Sequence, residues 1–294
     1  MTRTGRTGRA KDPGSSKRLL APRDLSALLA LSAMSGRDML RHRLTGFAAL
    51  FMFAWMIALY VVMSLMTGGW SLTDEASQAR DPLRSALPGV LLTGIAAIAF
   101  MGTTVPIVAM RERGMLRLLG TTPLRRPVFL AAQLPVRLIL VAVETAVAVG
   151  IAELRGFTED LDPLRLAVTL VLGTAMCFAF AFLFAARASS SEAAHHATTF
   201  LCVALLFASG GIVPIATLPD PLLTAAHTLP PVWFATALGA DLTGAASPLL
   251  PLPLLWLMMA VTTGAIGIAA TRRFRWDQTE HTPAPAPART EPRP

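Results

Sequence analysis

Long uncharged apolar segments, separated by short polar stretches, run through most of this chain. A helix of about 20 apolar residues crosses the ~30 Å hydrocarbon core of a bilayer and satisfies its own backbone hydrogen bonds there. The pattern therefore predicts an all-α polytopic membrane protein with six transmembrane helices. We place the six spans at about residues 44–66, 87–110, 134–152, 166–186, 197–214 and 250–270.

The region at residues 209–247 departs from this pattern. The clearly apolar part of span five, residues 197–208, is too short to cross alone, so we extend the span to about Pro214. The rest of the region carries no Lys or Arg, and its prolines and glycines interrupt any long helix. Irregular backbone at membrane depth needs protein or a water-filled cavity around it. We predict one or two short re-entrant helices in the outer leaflet, before the last span.

Basic residues are concentrated on one side of the predicted membrane. The two terminal segments, the loop between spans two and three and the turn after span four hold 21 of the 26 Lys and Arg residues. Because basic loops stay in the cytoplasm, both termini are predicted to lie inside (N-in, C-in). We expect a six-span membrane domain at residues 44–271, multi-pass in a bacterial plasma membrane. The net charge of +8 does not indicate nucleic-acid binding, because the arginines lie beside apolar spans.

The segments outside the spans are polar and basic. Residues 1–23 are rich in Arg, Lys, Gly, Ser and Pro and predict a disordered tail. Residues 24–43 predict a short cytoplasmic interfacial helix, in which Asp24 can cap the first turn and Arg37 can meet anionic head groups. A solvated basic segment is the alternative there. Residues 272–294 predict an extended, proline-rich cytoplasmic tail.

A strongly charged loop, MRERGMLRLLGTTPLRRPVF at residues 110–129, holds five arginines and one glutamate between two apolar spans. Part of it, at about residues 111–124, resembles the cytoplasmic coupling helix of ABC-2 type export permeases, through which an ATPase moves the membrane domain. Arg111 and Met115 depart from the family pattern. A loop that only fixes topology is the alternative. The matching positions are Glu112-Arg113, Gly114, Leu118-Leu119 and Thr122-Pro123-Leu124.

The region before the last span resembles the same family, whose permeases carry small re-entrant helices there. Pro88-Gly89, at the start of span two, is similar as well. The resemblance covers about residues 25–275 in layout. The positions that match in the re-entrant region are Ser209-Gly210, Pro214, Leu218-Pro219, Leu222, Leu229-Pro230 and Ala235.

The resemblance implies the transmembrane subunit of an ABC exporter of the drug- or antibiotic-efflux type. It implies a homodimer or heterodimer with a second permease, embedded in membrane lipids, and a separate cytoplasmic ATPase that binds ATP and Mg. The cargo would be hydrophobic or amphiphilic: a drug, an antibiotic or a lipid-like molecule. A coupling helix that starts near Glu112 would place this acid at the positive end of the helix dipole. The implied coupling residues are Glu112, Arg113, Gly114, Met115, Arg117, Leu118, Leu119, Thr122 and Pro123.

The chain lacks the common signatures of catalysis and of nucleotide or metal binding. It contains no GxxxxGK[ST] loop for phosphates, no HExxH and no GxSxG. We therefore expect no enzymatic activity, cofactor or metal in this chain, and an energy source that binds in another subunit. Cys177 and Cys202 lie in apolar runs and predict two buried thiols. An ion-coupled secondary transporter of the same topology is the alternative function.

Glu144 is the acid that falls deep within a predicted span. An unpaired charge in hydrocarbon is costly, so this side chain should face the helix bundle or a water-filled path. Arg137 lies seven residues earlier on nearly the same face, but two helical turns away. For both residues, a structural polar contact and a role in the translocation path are open.

Overall fold

The computed structural model describes residues 32–33, 36–37, 43–67, 81–121, 126–157, 161–212, 219–244 and 250–273. All regular secondary structure in these ranges is helical, which confirms the predicted all-α class. A π-helical turn, Phe100–Thr104, joins α2 to α3. The helices are α1 (Arg43–Met66), α2 (Pro82–Ala99), α3 (Val105–Glu112), α4 (Met115–Gly120), α5 (Arg126–Ala132), α6 (Leu134–Leu154), α7 (Pro163–Arg187), α8 (Ser191–Ala208), α9 (Asp220–His227), α10 (Pro230–Leu242) and α11 (Leu252–Arg273).

Several of these helices are long and apolar enough to cross a membrane. Within the described ranges there are five such stretches, and they occupy the predicted positions of spans one to four and six. Their length and composition indicate a multi-pass membrane protein. The stretches are Ala49–Met66, Pro82–Glu112, Leu134–Leu154, Pro163–Arg187 and Leu252–Arg273.

α8 takes the place of the fifth predicted span and differs from the prediction at both ends. It begins at Ser191 and ends at Ala208, so the predicted extension to Pro214 is wrong. Gly210 has a φ of 81°, and the N–H groups of Gly210 and Gly211 donate to carbonyls of the last helical turn. This is a Schellman motif, which stops a helix. Gly210 and Gly211 therefore end α8. The predicted span was extended by its apolar length alone, which takes no account of this glycine stop.

The central element is the continuous helical stretch Pro82–Glu112, which has 31 residues. At about 1.5 Å per residue it is ~46 Å long. Nearly all of α2 is buried, because α1, α6, α7, α8 and α10 pack around it. We name the two ends of the bundle after the residues that flank this stretch: the Asp81 end and the Glu112 end.

Polar contacts fix which helices meet at the Asp81 end. α6 ends there, because Arg155 pairs with Asp81 over 2.7 Å between Nη2 and Oδ2. α10 also ends there, because Arg84 in the first turn of α2 donates to the carbonyl of Thr243 over 3.0 Å. α6 and α2 are therefore antiparallel neighbours.

α9 and α10 occupy the region predicted to hold short re-entrant helices, and α10 runs antiparallel to α7. Asp241 near the end of α10 pairs with Arg165 in the first turn of α7, over 2.5 Å between Oδ1 and Nε. Phe234 near the start of α10 lies against Gly173. Gly173 is eight residues beyond Arg165, so α10 reaches about 12 Å along α7 from the Asp81 end.

α11 lies along α7. Near the start of both helices, the indole Nε1 of Trp256 donates to Oγ1 of Thr169 over 2.9 Å. The two helices therefore run in the same direction. α11 ends with Arg272 and Arg273, which places these two cations toward the Glu112 end.

Some predicted segments lie outside the described residues. They are the tail 1–23, most of the interfacial helix 24–43, residues 122–125 of the coupling stretch, 213–218 and 245–249 of the re-entrant region, and residues 274–294 of the C-terminal tail.

Candidate functional site

The coupling stretch folds as the end of α3, a turn and the short helix α4. α3 ends at Glu112, and Gly114 then takes a φ of 72°, a left-handed conformation that suits glycine. The N–H of Gly114 donates to the carbonyl of Arg111 over 3.0 Å and closes the helix. α4 begins at Met115. The prediction that the coupling helix starts near Glu112 is therefore wrong, because a glycine turn separates this acid from α4.

Glu112 instead caps α8. The backbone N–H of Ser191 donates to Oε1 of Glu112 over 2.9 Å, and the Ser191 hydroxyl donates to Oε2 over 2.5 Å. Ser190 contributes a second cap, since its Oγ accepts from the N–H of Ala193 over 3.2 Å. The first N–H groups of a helix have no partner within the helix and carry the positive end of its dipole. The carboxylate of Glu112 thus lies at the positive end of a helix dipole, as predicted, but the helix is α8 and not the coupling helix α4.

Arg111 makes a second link to the same turn. Its guanidinium Nη2 donates to the carbonyl of Ala188, and the residue is buried. Ala188 follows the last residue of α7, and Ser191 is the first residue of α8. We call these four residues, Arg111, Glu112, Ala188 and Ser191, the coupling junction. It joins the end of α3 to the connection between α7 and α8.

α4 presents a mixed surface beside this junction. Leu116 is fully buried in the apolar core, whereas the side chain of Leu118 is 71% exposed. Arg113 is exposed and Met115 is partly buried. Arg117 and Leu119 lie in α4 by their backbone, and Thr122 and Pro123 lie outside the described residues. An exposed leucine next to an exposed arginine can contact another protein.

Sequence reasoning did not find the coupling junction. It treated residues 187–196 as a tight polar turn, and it gave Arg111 no role. The signal was the run Ser189-Ser190-Ser191-Glu192, which is typical of a helix N-terminus that needs capping. The partner of that cap comes from 79 residues away in the chain, and helix periodicity carries no information about such a contact.

Glu144 lies inside the bundle. Its side chain is 0% exposed, and among the described residues neither carboxylate oxygen has a hydrogen-bond partner. The carboxylate lies against Gly94 of α2: a methyl group at Gly94 would come within 2.6 Å of Oε2 and within 3.0 Å of Cδ2 of Phe53. Glu144, Gly94 and Phe53 therefore bring α6, α2 and α1 together in the apolar core.

Arg137 does not pair with Glu144. Its Nε donates to the carbonyl of Gly102 over 2.8 Å, and its Nη1 donates to the side chain of Gln133 over 3.1 Å. Pro106 has no N–H with which to reach the carbonyl of Gly102 four residues earlier, so the guanidinium provides a donor at that point. The structure brings both residues against the central stretch Pro82–Glu112: Glu144 contacts Gly94 of α2, and Arg137 contacts Gly102 of the π-helical turn about two turns further along.

A polar cluster at the Asp81 end was also missed. Asp241 accepts from Arg165 and from the Thr169 hydroxyl, the latter over 2.6 Å. Arg155 and Asp81 form the buried ion pair described above. Sequence reasoning counted these arginines only as loop charges. The pairing depends on which helices are neighbours, which a charge count does not contain.

The described residues offer no metal centre. No group of three or more His, Cys, Asp or Glu side chains in these ranges is placed to hold an ion. Cys177 and Cys202 are buried free thiols.

The contacts described so far define an all-helical membrane bundle. The coupling junction lies at one end of it, and the short helices α9 and α10 lie at the other. The sequence profile of the ABC-2 type transporter family matches residues 29–240, a range that contains the coupling junction and Glu144. A search of the curated proteins found no match. The profile match covers more than half of the 294 residues. The chain therefore belongs to the ABC-2 type transporter family.

Proposed function

We propose that this chain is the transmembrane permease subunit of an ATP-binding cassette exporter, and that a separate cytoplasmic ATPase drives it. The observation that carries the proposal is the coupling junction. α4 lies beside a junction whose hydrogen bonds join α3 to the α7–α8 connection. A force on α4 would therefore reach three long helices together.

The route by which the force would reach the membrane helices follows from how the helices are connected. α3 continues through the π-helical turn into α2, the most buried helix of the bundle. Glu112 passes the same displacement to the first turn of α8, because both of its oxygens accept from Ser191. The ATPase would contact the surface around Arg113 and Leu118, while Glu112 transmits the movement within the permease.

The proposed topology has six spans, with α8 as the fifth, and both termini in the cytoplasm. Arg111, Arg187 and Arg273 all lie at or toward the Glu112 end, and basic residues favour the cytoplasmic side. At the Asp81 end, Arg155 and Arg165 each pair with an aspartate. The Glu112 end is therefore the cytoplasmic end in this proposal.

The proposed assembly is a dimer of permease subunits with two ATPase subunits. The cargo is a hydrophobic or amphiphilic molecule of the drug, antibiotic or lipid-like class, since the core beside the central helix is apolar. ATP and Mg bind on the partner subunit.

Co-purification and reconstitution test the proposal. The tagged chain, extracted from its native membrane, should retain an ABC ATPase. The pair in proteoliposomes should move an amphiphile only when ATP is supplied. Transport that follows an ion gradient in the absence of ATPase and ATP would contradict the proposal and favour the secondary transporter.

A substitution at the coupling junction tests the proposed route of force. Glu112→Ala removes both hydrogen bonds to Ser191, so we expect ATP hydrolysis by the complex to continue while ATP-driven transport falls several-fold. Glu192→Ala is the matched control, because it removes an acid from the first turn of the same helix but leaves the link to α3. Equal transport in the two variants would exclude Glu112 from the coupling route.

A further inference from the structure

Glu144 is held in a position that stability alone does not explain. Buried acids in proteins usually have their oxygens hydrogen-bonded, and leaving them without partners is unfavourable. Within the described residues, both oxygens of Glu144 lack such a partner, and the side chain is fully buried. The position therefore suits a positively charged partner, which the described residues do not supply there.

The nearest cation on the same helix is already engaged. The guanidinium of Arg137 donates to Gly102 and Gln133, two turns away from Glu144. The other arginine at the end of α6, Arg155, pairs with Asp81. Arg137 near the start of α6 and Arg155 just after its end thus have their own partners, whereas Glu144 in the middle has none among the described residues.

The surroundings of Glu144 suit an amphiphilic cation. The carboxylate supplies the negative charge. Phe53 lies beside it, because a methyl group at Gly94 would come within 3.0 Å of Cδ2 of Phe53 as well as within 2.6 Å of Oε2 of Glu144. Aromatic rings attract cations through their π-face. The neighbouring buried residues of α6, Val141 and Ala148, are apolar and would contact the apolar part of such a molecule.

The contact between α2 and α6 is also narrow. The buried residues of α6 form one stripe along the helix, and its other faces carry exposed apolar side chains such as Ile139 and Val143. Ala148 and Ala152 continue the stripe with small side chains, so a separation of the two helices between the polar contacts of Arg137 and Arg155 would expose little apolar surface. We call this contact the α2–α6 seam. The stripe consists of Arg137, Val141, Glu144, Ala148 and Ala152.

We propose that Glu144 binds the positively charged group of an amphiphilic substrate, which reaches it through the α2–α6 seam. The inference rests on the proposed transport function and narrows its substrate class to lipophilic cations. In the closed seam the carboxyl group of Glu144 lies in an apolar core. A cation beside it would supply the opposite charge that compensates a buried carboxylate.

Binding to the full-length chain in lipid nanodiscs tests this proposal without the ATPase. The probes are tetraphenylphosphonium and the neutral triphenylphosphine oxide, measured by equilibrium dialysis. We expect wild type to bind the cation about tenfold more tightly than the neutral compound, the scale of a compensated buried charge. Glu144→Gln, which has the shape of the neutral acid, should remove this preference and leave binding of the neutral compound unchanged.

Control variants separate a binding role from a structural one. Glu153→Gln removes an exposed acid of the same helix and should keep the preference for the cation. Glu144→Asp keeps the charge on a shorter side chain and should retain part of the preference for the cation. Retention of the full preference in Glu144→Gln, or no preference in wild type, would overturn the inference. If a variant does not fold, the comparison of the cation with the neutral compound on wild type still tests the inference. ATP-driven transport is measured in a separate experiment, so the proposed function is tested independently.

Discussion

At the scale of single residues, the two ionisable groups of α6 differ in how the fold compensates them. Arg137 donates to backbone and amide oxygens: Pro106 leaves the carbonyl of Gly102 without its α-helical donor, and the guanidinium donates to it. Glu144 has no comparable partner in the described part of the chain. A proline therefore provides the carbonyl that the buried guanidinium binds, whereas the described residues provide no donor for the buried acid.

The space for Glu144 depends on the absence of a side chain at Gly94. Gly94→Ala would bring a methyl group within 2.6 Å of Oε2 of Glu144, so we expect a loss of about 1–3 kcal/mol of stability from overpacking. Thermal unfolding in detergent measures this. Adding Glu144→Ala should recover part of the loss, because it removes the group that the methyl meets.

Gly150→Ala is the control for this prediction. Gly150 also lies in a transmembrane helix, and a methyl group there meets nothing within 4 Å, so the substitution should be neutral or slightly stabilising. Equal effects of Gly94→Ala and Gly150→Ala would contradict the described contact between α2 and α6.

At the scale of secondary-structure elements, α10 is held to α7 at both of its ends. Asp241 bonds Arg165 and Thr169 near the end of α10. The ring of Phe234 near its start packs on Gly173 of α7. A short helix of 13 residues is thus fixed by one polar and one apolar contact.

The apolar contact can be tested at the glycine. Gly173→Ala would place a methyl group inside the Phe234 ring contact, so α10 has to move away from α7. We expect faster proteolysis within α9 and α10 and a loss of about 1–3 kcal/mol of stability. Gly264→Ala in α11 is the control, because a methyl group there meets nothing within 4 Å. Unchanged proteolysis in Gly173→Ala would show that the contact of Phe234 with Gly173 is not needed to hold α10 in place.

The elements could be predicted wherever a long apolar run decides the structure. α1, α6 and α11 follow such runs closely. α2 and α7 begin earlier than predicted because Asp81-Pro82 and Asp162-Pro163 cap them, a start signal that hydropathy does not contain. The predicted end of α8 and the predicted start of α4 are wrong, since the glycine conformations at Gly210 and Gly114 set them locally. The start of α8 is set by its caps from Ser190 and Glu112.

At the scale of the whole molecule, the two ends of the bundle differ in how charge is used. Ion pairs and carbonyl contacts engage Arg84, Arg155 and Arg165 at the Asp81 end. Toward the Glu112 end, Arg113 directly follows the last residue of α3, and Arg272 and Arg273 lie in the last turn of α11. The sequence predicted which side is basic. It could not predict the polar cluster, because that requires knowing that α7 and α10 are neighbours.

Site-specific labelling tests the proposed orientation. Ser85 and Thr121 are exposed and lie at the Asp81 end and the Glu112 end respectively. The two native cysteines are buried, so an introduced cysteine should give the main signal. In intact cells a membrane-impermeant maleimide should label Ser85→Cys but not Thr121→Cys. The reverse pattern would invert the proposed topology.

The link between Glu112 and α8 also determines how the protein responds to salt. An exposed ion pair weakens as ionic strength rises, because dissolved ions screen it over about 8 Å at physiological concentration. Glu112 accepts instead from an uncharged N–H and an uncharged hydroxyl of Ser191. Such contacts are short and directional, and dissolved ions weaken them little. The connection between α3 and α8 is therefore less sensitive to ionic strength than an exposed ion pair at the same place would be.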